Sequence, residues 1–329
     1  MKWSFYQIWN DSLLSDGEKP LTPRNHIWAS ELGGALVDRW LKMKAVPPTN
    51  PPNARSKRKF EAGNIWETIV GYVLSRAGIL ISKQKWLAYQ YPDLLEVTGK
   101  LDYTAGGKPD YDKASSIIQH DFNWLPEFVT NATKNIVLGL KEQFPDGLPE
   151  IILEIKSCSS FMFERYETLN TASINHQLQE FHYLKASNMH EGHITYICKD
   201  DARIIEIPVF NPSPLEDVYK ADIERLTMYF LEDNQPPPEQ VIVFDEFNKF
   251  SANWKVAYSQ YLTYLYGFKD QFEFDSQYKP LAERWNRVLG RIKEGKEMTD
   301  NNLKALDEMR ECGFDVNEIT NKIIKESEV

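Results

Sequence analysis

The chain has 329 residues and a net charge of −10, with 42% hydrophobic and 26% charged residues. This composition is typical of a globular protein with one large domain or two ordinary ones, and it argues against a protein that coats duplex DNA through overall positive charge. No apolar run reaches the roughly 18 residues that span a bilayer, and residues 1–20 lack the apolar core of a signal peptide, so we expect a cytoplasmic protein without a membrane partner.

The first half of the sequence predicts a helix followed by two strands. The proline-rich residues 45–53 predict a stiff loop, and the basic residues 54–59 continue it. Apolar residues at helical spacing predict a helix over 60–78, which the terminal glycine ends. Residues 85–91 and 95–105 then predict two strands.

The next part of the sequence completes an α/β pattern. Residues 106–149 are mixed in pattern and predict a partly helical insertion. A third strand is predicted over 149–158, a helix over 171–187, and a hairpin with strands at 193–198 and 203–210. The order of helix, three strands, helix and two strands predicts an α/β fold with a mixed sheet.

The composition changes after Pro212. Residues 213–234 have a helical pattern, a proline run follows, and most of 250–329 has the pattern of charged amphipathic helices. We therefore predict a first domain over 1–211 and an all-helical accessory region over 212–329.

The third strand carries a pair of charges. Glu154 and Lys156 share one strand face because side-chain direction repeats every two residues, while Ile155 points to the other layer and offers its backbone carbonyl. If the strand that holds Asp102 is a neighbour, Asp102 and Glu154 can converge on one cation. Oxygen ligands of this kind suit Mg²⁺ or Mn²⁺.

Simpler interpretations of the same residues remain open at this point. Glu154 and Lys156 are also what an exposed cross-strand ion pair on a sheet edge would contain. Asp102 is compatible with capping a turn, and Gln179 and Tyr183 with ordinary surface and packing positions. The chemical interpretation depends on all of them occurring together.

The combined pattern resembles the PD-(D/E)XK nuclease superfamily. "GKLD" at 99–102, "EIK" at 154–156 and "QEFHY" at 179–183 match its GxxD, ExK and QxxxY motifs. Within that superfamily the pattern is most similar to RecB-type nuclease domains and to phage exonucleases of the lambda type. The resemblance covers roughly residues 20–211 and implies a restriction-endonuclease-like αβββαβ core.

The resemblance implies a metal site and a catalytic lysine. Asp102 and Glu154 would bind Mg²⁺ or Mn²⁺ together with the carbonyl of Ile155, and Lys156 would be catalytic.

Residues on the two helices would complete this site. The resemblance implies that Gln179 and Tyr183, one turn apart on a helix, position the lysine or the DNA backbone. Glu67 occupies the position of a metal-binding or site-lining residue on the first helix. Trp66 precedes it where RecB-type relatives often have histidine.

The basic segment before the first helix is a candidate DNA contact. In a nuclease it would bind the phosphate backbone of DNA, with an affinity that falls as the salt concentration rises. Its members are Arg55, Lys57, Arg58 and Lys59. The alternative interpretation is an ordinary solvated loop.

These features predict a metal-dependent DNA nuclease, more an exonuclease than a site-specific endonuclease, in recombination, repair or replication. If it is phage-encoded, it acts in the host cytoplasm. The alternatives are a nucleic-acid-binding or scaffolding protein that keeps the fold without catalysis, and a restriction-type endonuclease. No P-loop is present, so a partner helicase or recombinase would be a separate polypeptide. The C-terminal helices are candidates for contacting such a partner, threading DNA or forming an oligomer.

Overall fold

The chain forms two compact units. The computed structural model describes residues 4–15, 21–125, 133–245 and 248–327. Among these residues, the first unit comprises those within 1–34, 39–46 and 52–235, and the second comprises those within 35–38, 47–51 and 236–329.

The strands of the chain form one large sheet and one short ribbon. The strands are β1 His26–Trp28, β2 Leu80–Tyr89, β3 Glu96–Gly107, β4 Leu148–Cys158, β5 Glu191–Cys198, β6 Ile204–Phe210, β7 Ile242–Phe244 and β8 Phe250–Ala252.

The helices lie before, between and after these strands along the chain. They are α1 Phe5–Ser15, α2 Leu36–Met43, α3 Ala54–Arg76, α4 Tyr111–Asp121, α5 Thr133–Gln143, α6 Ser160–Leu169, α7 Ile174–Ser187, α8 Leu215–Leu231, α9 Trp254–Ala257, α10 Leu262–Tyr266, α11 Gln271–Lys293, α12 Asp300–Glu311 and α13 Val316–Ser327. A short 3₁₀ turn at Ala29–Glu31 follows β1.

The sheet of the first unit is mixed, and β3 is its branching strand. One edge of β3 pairs with antiparallel β2, and the other pairs with parallel β1 near its start and antiparallel β4 near its end. Beyond β4, β5 is parallel and β6 antiparallel to its neighbour. The elements α3, β2, β3, β4, α7 and β5 follow the predicted αβββαβ order, so the predicted α/β fold with a mixed sheet is confirmed.

Helix α3 begins and ends at residues suited to those positions. The Asn53 side chain accepts a hydrogen bond from the Ser56 backbone N–H at 3.0 Å, and Gly78 adopts φ +70° just after the last turn. Trp66, Val70 and Leu74, spaced by four residues, pack on the core formed by β3, β4 and β5. The helix starts six residues earlier than predicted, because Asn53 caps it ahead of the basic segment.

Helix α7 is buried on all sides along its middle. Every residue from 178 to 184 is buried. A helix buried all round is normally apolar, yet this stretch contains Gln179, Glu180 and His182. Because burying such groups costs free energy unless they are matched, each of them requires a structural or functional reason.

His182 in this helix makes the stability of the protein sensitive to acid. It is fully buried, its Nδ1 lies 2.9 Å from the Tyr219 hydroxyl, and burial lowers its pKa to about 3. In the unfolded chain the His182 imidazole becomes protonated near pH 6.5, whereas in the folded protein it stays neutral down to about pH 3. Its contribution to the unfolding free energy is therefore complete above pH 6.5 and is lost as the pH falls toward 3. We expect His182 to remove about 2 kcal/mol of unfolding free energy between pH 7 and pH 5.

Urea denaturation at a series of pH values measures this loss. His182→Phe should reduce the dependence between pH 7 and pH 5 by about this amount, whatever it does to the absolute stability, while His176, whose pKa burial also lowers to about 3, keeps its own contribution. An unaltered slope in His182→Phe would show that other groups cause the acid sensitivity.

The predicted insertion is partly helical, as expected. Helices α4 and α5 lie within residues 106–149. Residues 126–132 of the insertion lie outside the described residues.

The second unit is mainly helical, which confirms the prediction of a C-terminal helical region. It also contains the β7–β8 ribbon, so the prediction that it is all-helical is wrong in this detail. Three-residue strands are too short to give a periodic signal. The ribbon is held by Asn286 of α11, whose side chain bonds both the N–H and the carbonyl of Phe250, and Trp285 is fully buried in the same core.

The long segment of the second unit begins at residue 236, later than the predicted boundary at 211/212. Helix α8 belongs to the first unit instead. Asp222 of α8 accepts two hydrogen bonds from the buried guanidinium of Arg39, at 2.7 and 2.8 Å. Such a bidentate pair fixes the orientation of α8 against α2 residues of its own unit. Within the described residues, no helix has both the length and the apolar character needed to cross a membrane.

Candidate active site

The candidate site lies where β3 and β4 separate. Their backbone pairing runs from Gly107 and Leu148 to Tyr103 and Leu153 and goes no further. Asp102 directly precedes Tyr103 on β3. Its side chain replaces the missing backbone partner, because Asp102 Oδ2 accepts a hydrogen bond from the Ile155 N–H at 2.8 Å. A carboxylate therefore fills the gap where a strand partner would otherwise be.

The carbonyl of Ile155 projects toward the same gap. In a β-strand the N–H and C=O of one residue point to the same edge. Since the Ile155 N–H points to Asp102, its carbonyl also lies on the β3 side of β4. The gap is thus lined by both carboxylate and carbonyl oxygens.

A chain of hydrogen bonds connects β4 to α7 and back to β3. The Lys156 ammonium donates to Glu154 Oε1 and, at 3.2 Å, to Gln179 Oε1. The Gln179 amide donates to the Tyr183 hydroxyl at 3.2 Å, and that hydroxyl donates to the Lys100 carbonyl at 2.7 Å. These contacts connect Glu154 and Lys156 of β4, through Gln179 and Tyr183 of α7, to β3, the strand that carries Asp102.

Gly99 allows α7 to approach β3 closely. A Cβ at this position would lie 2.8 Å from the Ala29 Cβ and 3.0 Å from the Tyr183 hydroxyl. A side chain at this position would therefore push Tyr183 away from the strand. The glycine of the GxxD pattern is explained by this contact.

We expect Tyr183→Phe to lower the unfolding free energy by about 1–3 kcal/mol. The substitution keeps the buried ring but removes a hydroxyl that accepts from Gln179 and satisfies the Lys100 carbonyl. Urea denaturation measures the change. Tyr264→Phe, at a ring that is 57% exposed, should change stability by less than about 0.5 kcal/mol, and equal effects of the two variants would contradict this role for Tyr183.

Glu67 of α3 reaches the site through Gln84 of β2. The Gln84 amide donates to Glu67 Oε1 at 2.6 Å and lies 3.5 Å from Asp102 Oδ1. Gln84 has φ +50°, an unusual backbone conformation for a non-glycine residue in a strand. The Tyr103 hydroxyl fixes the same turn of α3 by donating to the Glu67 carbonyl at 2.9 Å.

The carboxylates of the site hold their protons more tightly than usual. Burial raises the pKa of Glu154 to about 8, against the opposing effect of Lys156, and Glu154 is only 2% exposed. Burial also raises the pKa of Asp102, and burial together with Asp102 raises the pKa of Glu67. For Lys156, burial disfavours the charge, but the attraction of Glu154 and Asp102 is stronger, so its pKa is raised. Lys156 is therefore an ammonium at neutral pH.

Two residues of this region were not predicted from the sequence. Gln84 is one. The other is Glu180, which is fully buried and whose two carboxyl oxygens have no hydrogen-bond partner among the described residues. Burial, then repulsion by Glu154, raises the pKa of Glu180 well above its usual value. A Cβ at Gly192 would lie 2.0 Å from Glu180 Oε1, so this glycine makes space for the carboxyl group.

The oxygen donors of the gap suit a hard divalent cation, although no cluster of three or more His, Cys, Asp and Glu side chains among the described residues forms a metal site by itself. Mg²⁺ commonly binds through only one or two protein carboxylates and retains several waters. Glu154 Oε2 is buried and has no hydrogen-bond partner within the described part of the chain. A cation between Asp102 and Glu154 would satisfy that oxygen and reduce the repulsion of the two acids.

The basic segment belongs to α3, so its interpretation as a loop is wrong. The four residues on the first turns of this helix are Arg55, Lys57, Arg58 and Lys59. Two of them bind α1, since the Lys57 ammonium donates to the Leu13 carbonyl at 2.8 Å and Arg58 bonds to Asn10. Arg55 and Lys59 remain exposed.

Comparison with known proteins gives distant structural similarity alone. Neither a family model nor a curated protein sequence matches the chain. A solved structure of the protein SSO0001 is 14% identical, covers 79% of this chain and 95% of its own, and superposes with a TM-score of 0.41. The alkaline exonuclease LHK-Exo from Laribacter hongkongensis is 9% identical, covers 69% of this chain and 93% of its own, and has a TM-score of 0.32. Both similarities are too distant to assign an activity.

Proposed function

We propose that this chain is a divalent-metal-dependent nuclease that hydrolyses phosphodiester bonds of DNA as an exonuclease. The observation that carries the proposal is the hydrogen bond from the Ile155 N–H to Asp102 at 2.8 Å. It joins an acidic residue of one strand to the Glu154–Lys156 segment of the next, at the point where the two strands separate. Two carboxylates can bind a divalent metal, and an ammonium group beside them can stabilise charge on a phosphate, a combination that suits metal-assisted phosphate hydrolysis.

Asp102, Glu154 and the Ile155 carbonyl would hold the metal. A bound Mg²⁺ or Mn²⁺ supplies Lewis-acid activation of water and neutralises charge on the phosphate. The proposal is supported by the unsatisfied Glu154 Oε2 and by the raised pKa of both carboxyl groups. Glu67, held next to Asp102 by Gln84, is the candidate for a further ligand or for orienting a metal-bound water.

Lys156 would stabilise negative charge that develops on the scissile phosphate. An ammonium whose pKa is raised is a poor general base, because it rarely gives up its proton. Its three donors can be shared between Glu154, Gln179 and a phosphate oxygen or water. We therefore assign it electrostatic stabilisation and water orientation.

Gln179 and Tyr183 would act as positioning residues. Gln179 accepts from Lys156 and donates to Tyr183, which is anchored on the Lys100 carbonyl. This bonding would hold the Lys156 ammonium in a defined position, which aligned catalysis needs. The exposed Arg55 and Lys59 stay candidates for contacts with the DNA backbone.

A nuclease assay on matched DNA forms tests the proposal. End-labelled linear DNA and covalently closed circular DNA are incubated with the purified chain in Mg²⁺, in Mn²⁺ and in EDTA. We expect progressive, metal-dependent loss of the linear form with the closed circle intact. Discrete fragments would indicate an endonuclease, and no cleavage of single- or double-stranded DNA with either metal would contradict the proposal.

A further inference from the structure

An exposed patch of aromatic and basic side chains lies on the sheet near the candidate site. We call it the tryptophan patch, and it consists of Trp28, Trp86 and Lys100, whereas Lys85, next to Trp86 on β2 and paired with Leu101, points to the opposite face of the sheet. The Trp86 side chain is 54% exposed, and its ring centroid lies 5.5 Å from that of Trp28. The Lys100 ammonium lies 5.0 Å from the Trp86 ring centroid.

The strand register builds the patch. Trp86 of β2 pairs with Lys100 of β3, and Trp28 of β1 pairs with Thr98, two residues before Lys100. Strands β2 and β1 therefore carry their tryptophans to opposite edges of β3, where the rings meet above it. Among the described strands β2 pairs only with β3, so Trp86 lies on an edge strand that is open to solvent.

The exposure of these rings is not explained by the core. Trp66 packs on the core of the first unit and Trp285 is fully buried in the second, which is where large aromatic side chains stabilise a fold most. Trp86 gains much less from its position. A single exposed ring is ordinary on a protein surface, but an exposed ring beside a second tryptophan and a lysine is the combination that single-stranded nucleic acids bind.

The charge of the patch is opposite to that of the chain as a whole. The net charge is −10, yet Lys100 forms no ion pair with a carboxylate among the described residues. Arg24, whose Cζ lies 5.6 Å from the Trp28 ring, is already bound to Glu31 at 2.5 Å. The free positive charge of the patch therefore comes from Lys100, and it suits a phosphate group.

The patch is close to the candidate site. Lys100 precedes Asp102 by two residues on β3, which corresponds to about 7 Å along the strand. The carbonyl of Lys100 is also the acceptor for the Tyr183 hydroxyl. A DNA strand bound at Lys100 would therefore be next to the gap between β3 and β4 that contains Asp102 and Glu154.

We propose that the tryptophan patch binds unpaired nucleotides, with a base stacked on Trp86 and the phosphate backbone on Lys100. Stacking on an aromatic ring needs an unpaired base and tolerates any sequence, and lysines beside the ring neutralise phosphate. The ligand is single-stranded DNA. That the bound strand continues to Asp102 and Glu154 rests on the proposed nuclease function.

Equilibrium binding without metal tests the patch separately from catalysis. Fluorescence polarisation is measured with a labelled single-stranded oligothymidylate of about 12 nucleotides and with a blunt duplex, both in EDTA. We expect Trp86→Ala to weaken single-strand binding about tenfold or more and Trp86→Phe to retain most of it. Trp254→Ala, at a tryptophan that is 48% exposed in the second unit, is the matched control and should change the Kd less than about twofold.

The salt dependence separates stacking from charge. Lys100→Gln should reduce the slope of log K against log salt by about 0.7, the value for one phosphate contact on a single strand. Trp86→Ala should lower affinity without changing that slope. Unchanged affinity in Trp86→Ala, or an equal loss for the blunt duplex, overturns the proposal.

Two further outcomes distinguish this proposal from others. If Trp86→Ala changes the sedimentation of the protein from an oligomer to a monomer and leaves DNA affinity intact, the patch is a subunit contact and the proposal is overturned. If the native chain binds the oligonucleotide in EDTA through Trp86 but cleaves nothing with metal, the patch is supported and the proposed nuclease function fails.

Discussion

Lys156→Ala is expected to reduce the rate of metal-dependent DNA hydrolysis by at least about 10³-fold. The variant removes the positive charge that would stabilise the phosphate in the transition state, and loss of one such interaction in a water-excluded site costs about 10²–10³ in rate. It also removes the partner of Glu154, which is 2% exposed. Without that ammonium the already raised pKa of Glu154 rises further, and a protonated Glu154 cannot bind metal.

Folding should survive this substitution, because Glu154 can become neutral instead of remaining a buried, unpaired charge. Lys185→Ala provides the matched control, since this lysine is 14% exposed and bound to Glu216 at 2.7 Å in the same unit. Its cleavage rate should stay within about twofold of the native chain. Single-turnover kinetics at saturating metal measures both variants, and native-like cleavage by Lys156→Ala would remove the lysine from the mechanism.

Asp102→Asn is expected to have two opposite effects. Cleavage should fall by about 10³-fold or more, because the amide supplies no charge to hold the metal. The metal-free protein should become more stable by about 1–2 kcal/mol, because the substitution removes one of several acids that repel one another in the site. The amide oxygen can still accept from the Ile155 N–H, so the strands should keep their arrangement.

The sign of the stability change follows from the pKa of Asp102. Its pKa in the folded protein is raised by burial, so the unfolded chain releases the proton at lower pH. Ionised Asp102 therefore costs stability at neutral pH, and neutral Asn does not. Asp93→Asn, in an exposed turn at φ +62° where asparagine fits well, removes the same charge and should change neither activity nor stability appreciably. Thermal unfolding in EDTA that shows Asp102→Asn destabilised would contradict this account of the acidic cluster.

Much of the candidate site could be predicted because its residues have strong local signals. Glu154 and Lys156 stand out as charges inside an apolar strand, and Gln179 and Tyr183 are one turn apart on a helix. Their hydrogen-bonded connection to one another and to β3 follows from the predicted order of strands. Their catalytic roles remain predictions.

The residues that were missed depend on tertiary contacts. Gln84 reaches Glu67 and Asp102 through the register of β2 and a positive φ, neither of which has a local pattern. Glu180 follows Gln179 in a stretch that reads as an ordinary amphipathic helix, and only the packing of α7 on all sides buries it. The sequence predicts a loop at the basic segment because the prolines before it are strong loop signals. In the structure Asn53 caps α3 just before this segment, so the segment is helical.

Anomalous diffraction from crystals soaked in Mn²⁺ locates the metal relative to the two acids. We expect a Mn²⁺ peak within about 2.0–2.5 Å of oxygens from both Asp102 and Glu154, and its loss in crystals of Asp102→Asn. A map at saturating Mn²⁺ with no peak between these two side chains, or with the same peak in the Asp102→Asn crystals, would contradict the proposed metal site.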